Sequence, residues 1–156
     1  ILMGYINTFL ANSKALESIH ERGTDAVLIV DVPGESSLED IGIQNKNIAS
    51  ISLISPTTDN DRIQKICMSS SGFIYYVTLR GVTGASNLNE DEIQTNILNI
   101  RNSTNLPVLA GFGIKTASDA RALSQISDGV VIGSVLVEMI QERSEKKDYK
   151  KIYNLV

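Results

Sequence analysis

The sequence contains a single cysteine, Cys67, so no disulfide can form within its 156 residues. This scarcity of cysteine fits a protein of the reducing cytoplasm. The chain also lacks a long hydrophobic run, because its longest apolar-leaning stretch, residues 130–140, is 11 residues long and is interrupted by glycine and glutamate. A helix needs about 20 apolar residues to cross a bilayer, so we expect no membrane span. No basic segment precedes an apolar one near Ile1, and we therefore expect no signal peptide.

Positive charge is not in excess. The chain carries 14 basic and 18 acidic residues, a net charge of -4, and a sequence pI of about 5.0. This balance argues against a general nucleic-acid surface, although a small anion site built from backbone amides stays open. No metal-ligand spacing, Ser-His-Asp arrangement or nucleotide-binding glycine fingerprint occurs, so we expect no metal and no cofactor. The single histidine, His20, lies in a polar stretch and is expected at the surface.

Six short, mostly apolar runs recur along the chain with little polar alternation. This pattern is typical of parallel strands that are buried on both faces. The predicted strands are residues 1–5, 26–32, 48–54, 73–79, 106–112 and 129–134.

Helical patterns lie between the predicted strands, with apolar residues at helical spacing. The predicted helices are residues 13–22, 59–69, 90–100 and 116–126, with a weaker pattern over 36–47 that Gly42 interrupts. Alternating strands and helices without a linker predict one α/β domain, residues 1–156, with parallel strands. Two architectures remain, an open doubly wound sheet and a (β/α)₈ TIM barrel. Since a barrel has eight strands and typically ~250 residues, six strands would make it incomplete, with about two βα units missing from the front.

The stretch GFGIKTASDARALSQISDGVVIGS places glycines just after two successive predicted strands. Gly111 and Gly113 follow the fifth strand, while Gly133 follows the sixth and Ser134 then opens a helix. Glycine lets an anion approach the backbone closely, and the first amides of a helix are free to bind it. In barrels the loops after the last two strands commonly bind phosphate. The alternative is that these glycines only form tight turns.

Two neighbouring tyrosines raise the question of which one faces the interior. Because alternate residues of a strand share a face, Tyr75 and Tyr76 point to opposite sides. We predict that Tyr75 faces inward and that Tyr76 lies between helices, where its hydroxyl can reach solvent. A plain core tyrosine is the alternative for Tyr75.

The loop sequence LRGVTGASN follows the strand with these tyrosines. Its glycines, Gly81 and Gly84, suit a mobile loop that closes over substrate, and an ordinary surface loop is the alternative. Elsewhere, Asp31 follows a buried strand, where it is either a site carboxylate or the cap of the turn before Glu35.

The segments LMGYINTF, VLIVDVPGE, SPTTDNDRI, GFIYYVTLRGVTGA, PVLAGFGI and DGVVIGSVLV occur in this order. Together they resemble the tryptophan synthase α subunit family over nearly the whole chain, thinning after Glu138. The resemblance implies a TIM barrel that cleaves indole-3-glycerol phosphate to indole and glyceraldehyde 3-phosphate. It also implies a small phosphorylated substrate and a β subunit as partner in an α2β2 assembly.

The resemblance also implies roles for individual residues. The phosphate would be held by Gly84, Gly111, Gly113, Gly133 and Ser134. The indole or glycerol part would meet Tyr75, Thr83, Phe112 and Leu28. The β subunit would contact Asn7 and Pro33, although Thr8 stands where many members have proline.

The family's motif with two catalytic carboxylates, similar to E-L-G-x-P-x-S-D-P, is absent from these 156 residues. We therefore expect no catalytic residue in this chain and place those acids upstream. Without them phosphate binding could persist, but proton transfer, typically worth ~10²–10⁴ in rate, would not. A non-catalytic phosphate-binding partner of a β subunit is the alternative function. A sugar-phosphate isomerase barrel is a third, which GVTGA beside PVLAGFGI argues against.

Overall fold

A computed structural model describes residues 1–11, 19–44, 47–78, 90–111, 113–114 and 116–144. The six strands are β1 (Leu2–Gly4), β2 (Ala26–Ile29), β3 (Ala49–Ile54), β4 (Ile74–Val77), β5 (Val108–Gly111) and β6 (Gly129–Val131). The helices within this part of the chain are α1 (Ile6–Ala11), α2 (Asn60–Ser69), α3 (Glu90–Arg101), α4 (Ala117–Ile126) and α5 (Ser134–Ser144). All six predicted strands are therefore present, each shorter than its apolar run.

The strands form one sheet in chain order, β1-β2-β3-β4-β5-β6, and every neighbouring pair is parallel. This order excludes the doubly wound alternative, in which the strand order reverses near the middle of the sheet. Parallel strands laid down one after another, each followed by its connection, are the pattern of a (β/α)₈ barrel. The six strands curl into an incomplete TIM barrel, with β1 at one edge and β6 at the other.

Alternate strand residues build two separate layers of core. One layer lies between the sheet and the helices, where Ile74 and Tyr76 of β4 pack with Ile97 of α3 and Leu123 of α4. The other layer contains residues of the opposite strand face, including Leu28, Ile51, Phe73 and Tyr75, and forms the inner side of the curled sheet. The prediction that Tyr75 faces inward and Tyr76 faces the helices is confirmed, because the amide of Asn96 on α3 donates to the Tyr76 hydroxyl at 2.9 Å. The expectation that this hydroxyl reaches solvent is wrong, because Tyr76 is only 1% exposed.

Helix boundaries follow local capping chemistry. Asp59 caps α2 by accepting a hydrogen bond from the Arg62 amide at 2.8 Å. Thr116 and Asp119 form a reciprocal capping box at the start of α4. The predicted starts at residues 59 and 116 are thus the cap residues, one position before each helix begins.

The weak helix predicted over residues 36–47 is wrong in its described part, which is a series of turns. Ser37 and Asp40 bond reciprocally, since the Ser37 amide and hydroxyl donate to the Asp40 carboxylate while the Asp40 amide donates to the Ser37 hydroxyl. Such local bonds offer the backbone an alternative to a helix. Gly42, at φ +83°, then turns the chain through the left-handed region.

The short helix α1 was not predicted, because six residues are too few for a helical pattern to be recognised. Of the helix predicted over residues 13–22, residues 13–18 lie outside the described part. Residues 19–23 form a turn that ends at Gly23, with φ +88°. None of the helices that the structure describes is long and apolar enough to traverse a lipid bilayer.

Candidate functional site

The two predicted glycine motifs lie side by side. β5 and β6 are adjacent and parallel, with Gly111 in register with Val131, so the carboxyl ends of the two strands lie side by side. Gly113 lies two residues beyond the end of β5, and Gly133 two residues beyond the end of β6. Neighbouring strands are about 4.8 Å apart, a separation that one phosphate group can bridge. The structure thus brings Gly111, Gly113, Gly133 and Ser134 together at the carboxyl ends of β5 and β6, a region that we call the glycine edge.

Gly111 is glycine for reasons of packing. A Cβ there would lie 2.6 Å from the Val131 carbonyl oxygen and 3.1 Å from the Tyr75 hydroxyl. The neighbouring strand and the tyrosine therefore occupy the space that a side chain would need. Burial raises the pKa of Tyr75, so its hydroxyl stays neutral next to these strand ends.

Gly133 differs from Gly111 because nothing lies within 4 Å of the position that its Cβ would take. The exposed Ser134 beside it is the first residue of α5. The first helical bond runs from the Val137 amide to the Gly133 carbonyl at 3.1 Å. The amides of residues 134–136 precede that bond and have no acceptor within the helix. Open space beside free amides and a positive helix end is suited to an anion.

Thr78, which the sequence analysis did not single out, connects this edge to β4. It directly follows the last residue of β4, and it is only 1% exposed. Its amide donates to the Gly111 carbonyl at 2.8 Å, and its hydroxyl donates to the same oxygen at 3.2 Å. The two residues are 33 positions apart, so no local sequence pattern could have indicated this contact.

The predicted indole-side residues are only partly described. Leu28 is buried in the inner layer, and Tyr75 packs against the same layer while remaining partly exposed. Their shared face makes that inner layer an apolar wall below the strand ends. Phe112, Thr83, Gly84 and the loop glycine Gly81 lie outside the described residues.

The two predicted partner-contact residues lie close together, beyond the carboxyl ends of the neighbouring strands β1 and β2. Asn7 is on α1, which follows β1, and Pro33 follows β2; both are exposed. Asp31 connects their two segments, because its carboxylate accepts the Ile6 amide at 2.8 Å. Asp31 therefore caps α1. The expected alternative, that Asp31 caps the turn before Glu35, is wrong because the amide from which its carboxylate accepts comes from the preceding βα unit.

The loop that carries Pro33 rests on α2. A Cβ on Gly34 would approach Ile66 to 3.2 Å, and Glu35 forms a 2.6 Å ion pair with Arg62. This ion pair and hydrogen bond hold the pKa of Glu35 below its ordinary value. A cavity of about 170 Å³ lies between this loop and strands β2 and β3, away from the β5 and β6 ends.

The chemistry available at the glycine edge is that of anion binding. The glycines and Ser134 offer backbone amides, one hydroxyl and a helix N-terminus, which are hydrogen-bond donors that do not carry out proton transfer at neutral pH. Within the described residues, His, Cys, Asp and Glu side chains form no group of three that could hold a metal ion. Cys67 lies on the buried face of α2, and burial raises the pKa of its thiol.

Solved structures of tryptophan synthase α subunits share this architecture. The α subunit of tryptophan synthase from Campylobacter jejuni superposes with a TM-score of 0.79 at 30% identity, covering 89% of this chain and 57% of that one. A second structure is described as the tryptophan synthase a2b2 complex from Pyrococcus furiosus. It matches with a TM-score of 0.75 at 28% identity, over 91% of this chain and 59% of that one.

Sequence comparison agrees with the structural one. Tryptophan synthase alpha chains from Thiobacillus denitrificans and Geotalea daltonii are 38% and 37% identical to this chain over its full length. The chain spans 58% and 60% of the length of these two relatives. The family model described as "Tryptophan synthase alpha chain" matches residues 1–155. The chain therefore belongs to the tryptophan synthase alpha chain family.

Proposed function

We propose that this chain is the phosphate-binding part of a cytoplasmic tryptophan synthase α subunit, a carbon–carbon lyase of tryptophan biosynthesis. The reaction is the retro-aldol cleavage of indole-3-glycerol phosphate to indole and glyceraldehyde 3-phosphate. One observation carries the proposal: a chain matched to this family over residues 1–155 has Gly111 and Gly133 at the same edge of adjacent strands. A phosphate bound there would anchor the substrate by its charged end.

The rest of the substrate would extend from the phosphate along the inner face of the sheet. Leu28 and Tyr75 form part of that face, and their apolar surface suits an indole ring. Phe112, Thr83 and Gly84 complete the proposed substrate contacts. We place the catalytic carboxylates outside these 156 residues, because the described donors at the glycine edge bind and orient but cannot transfer protons.

The proposed partner is a tryptophan synthase β subunit, which would meet the face that carries Asn7 and Pro33. Three features support this assignment. Both residues are exposed, Asp31 joins their segments, and the Pyrococcus furiosus relative was solved as an a2b2 complex. In such an assembly the indole released by the α subunit would pass to the β subunit.

Indole release from indole-3-glycerol phosphate, measured with the protein at its full natural length, tests the proposed function. Gly133→Asp places a carboxylate in the open space where the phosphate is proposed to bind. Repulsion between like charges should lower kcat/KM by about 100-fold. Gln125→Asp adds the same charge on the exposed surface of α4, near its C-terminal end, and should leave kcat/KM within about twofold.

Two results would contradict the proposal in different ways. Equal activity of Gly133→Asp and Gln125→Asp would exclude phosphate binding at the β5 and β6 ends. Phosphate binding without any indole release would favour the alternative function, a non-catalytic partner that modulates a β subunit.

A further inference from the structure

The hydroxyl of Thr78 makes a contact that the sheet itself does not need. The bond from the Thr78 amide to the Gly111 carbonyl continues the parallel ladder between β4 and β5, in which Val77 is paired with Gly111. The hydroxyl adds a second donor to the same carbonyl oxygen, inside the protein, at a residue only 1% exposed. Such a second donor restricts the direction of the carbonyl more than one ladder bond does.

That restriction matters because of the residue that carries the carbonyl. Glycine is the residue with the greatest backbone freedom, and the direction of the Gly111 carbonyl reflects its ψ angle. The same angle decides how the chain leaves β5 toward Gly113, which lies in the left-handed region at φ +71°. On its other side Gly111 is fitted against Val131 of β6. Thr78 and β6 therefore hold Gly111 from opposite sides.

We propose that Thr78 is a positioning residue for anion binding, acting through the Gly111 carbonyl to hold the loop after β5 in its binding conformation. The inference rests on the proposed phosphate site at the β5 and β6 ends. Thr78 touches neither the phosphate nor the reacting atoms in this proposal.

Thr78→Val tests the proposal, because valine keeps the shape and the backbone amide bond of threonine and removes only the hydroxyl. The measurement is the Kd for inorganic phosphate, by titration calorimetry on the protein at its full natural length. We expect the Kd to rise about three- to tenfold, the size of effect that one hydrogen bond has on an equilibrium. Thr78→Ser retains the hydroxyl and should bind phosphate within about twofold of the unsubstituted protein.

Ser127→Ala is the matched control for lost stability. Ser127 also has a buried hydroxyl that donates to backbone carbonyls, those of Leu123 and Gly129. It lies before β6, at the amino ends of the strands and so away from the proposed phosphate site. Its removal should lower the Tm as Thr78→Val does and leave the Kd for phosphate unchanged. If Thr78→Val is too unstable to titrate, Thr78→Cys replaces it, because a thiol is a weak donor.

Each outcome is decisive. The positioning role is supported if the Kd for phosphate rises in Thr78→Val but stays near that of the unsubstituted protein in Thr78→Ser and Ser127→Ala. Equal Kd values for Thr78→Val and the unsubstituted protein, or equal losses in Thr78→Val and Thr78→Ser, would overturn it while leaving the phosphate site intact. Absence of phosphate binding in the unsubstituted protein would overturn both the positioning role and the proposed site.

Discussion

Glycine occupies different positions of this chain for different physical reasons, although the sequence shows these glycines as equivalent. Gly111 and Gly133 both follow a strand, and both were expected to admit an anion. The structure separates them, because the space beside Gly111 is filled by Val131 and Tyr75 while the space beside Gly133 is empty. Of these two glycines, packing explains the absence of a side chain at Gly111 but not at Gly133, so Gly133 is the stronger candidate for direct anion contact.

Alanine substitutions at these two glycines should separate folding from binding. Gly111→Ala forces a methyl group to 2.6 Å from a backbone oxygen that cannot move aside, and it should lower the free energy of unfolding by about 1–3 kcal/mol. Gly133→Ala should change it by less than about 0.5 kcal/mol and still weaken phosphate binding. Urea unfolding and phosphate titration of both variants check this. A large loss of stability in Gly133→Ala would be inconsistent with the open space around it.

At the scale of elements, the structure is held together by bonds between segments distant in sequence. At the amino ends of β5 and β6, the Asp128 carboxylate accepts the Val108 amide at 2.8 Å and an Arg101 guanidinium N–H at 2.8 Å. Asp128 thus joins the end of α3 to both strands. These two bonds hold the pKa of Asp128 below its ordinary value of 3.8, the backbone bond having the larger effect.

Asp128→Asn should destabilise the protein in a way that depends on pH. Because the pKa is lower in the folded state, the ionised carboxylate stabilises the fold above pH 3.8, and this contribution is lost as the pH falls through the folded-state pKa. At neutral pH the substitution should cost about 1 kcal/mol or less, since partial exposure screens the ion pair.

The measurement is the free energy of urea unfolding of Asp128→Asn and of the unsubstituted protein, at pH 7 and at about pH 3. The difference between the two proteins should shrink at the lower pH. Asp61→Asn removes the same charge from the exposed start of α2 and controls for the change in net charge. A difference that stays constant with pH would show that ionisation of Asp128 does not contribute.

At the scale of the whole molecule, the described sheet has two edges. β1 pairs with β2 on one side, and its residues Leu2 and Met3 are 42% and 62% exposed. The exposed Tyr5 and Leu10 extend this apolar surface beyond β1. Exposed backbone next to apolar side chains favours pairing between chains. The open edge is therefore a hazard for aggregation in these 156 residues taken alone.

We expect the 156-residue chain by itself to self-associate at micromolar concentration, and Met3→Lys to reduce that association. A lysine on an edge strand disfavours the approach of a second edge. Met68→Lys is the control, because Met68 is 85% exposed but lies on α2 rather than on a strand. Light scattering against concentration measures the effect. Equal reductions by the two lysines would point to net charge rather than to the strand edge.

Predictability differed between features set by local chemistry and features set by distant contacts. The six strands and the helices α2, α3 and α4 were predictable, because apolar periodicity and capping residues such as Thr116 act within a few positions. Helix α1 was missed because its six residues are too few to show a helical pattern, and the carboxylate that caps its first amide belongs to Asp31, 25 positions away. The weak helix over residues 36–47 failed because bonds between Ser37 and Asp40 favoured turns.

The sequence by itself determined the six strands, the helices α2, α3 and α4, the inward face of β4 and the family, since each depends on residue types at short or fixed spacing. Only the tertiary structure decided that Gly111 is packed and Gly133 is open, and that Thr78 holds the Gly111 carbonyl. The physical reason is that these properties depend on which atoms meet across neighbouring strands. Residues 33 positions apart acquire that relation only when the sheet forms.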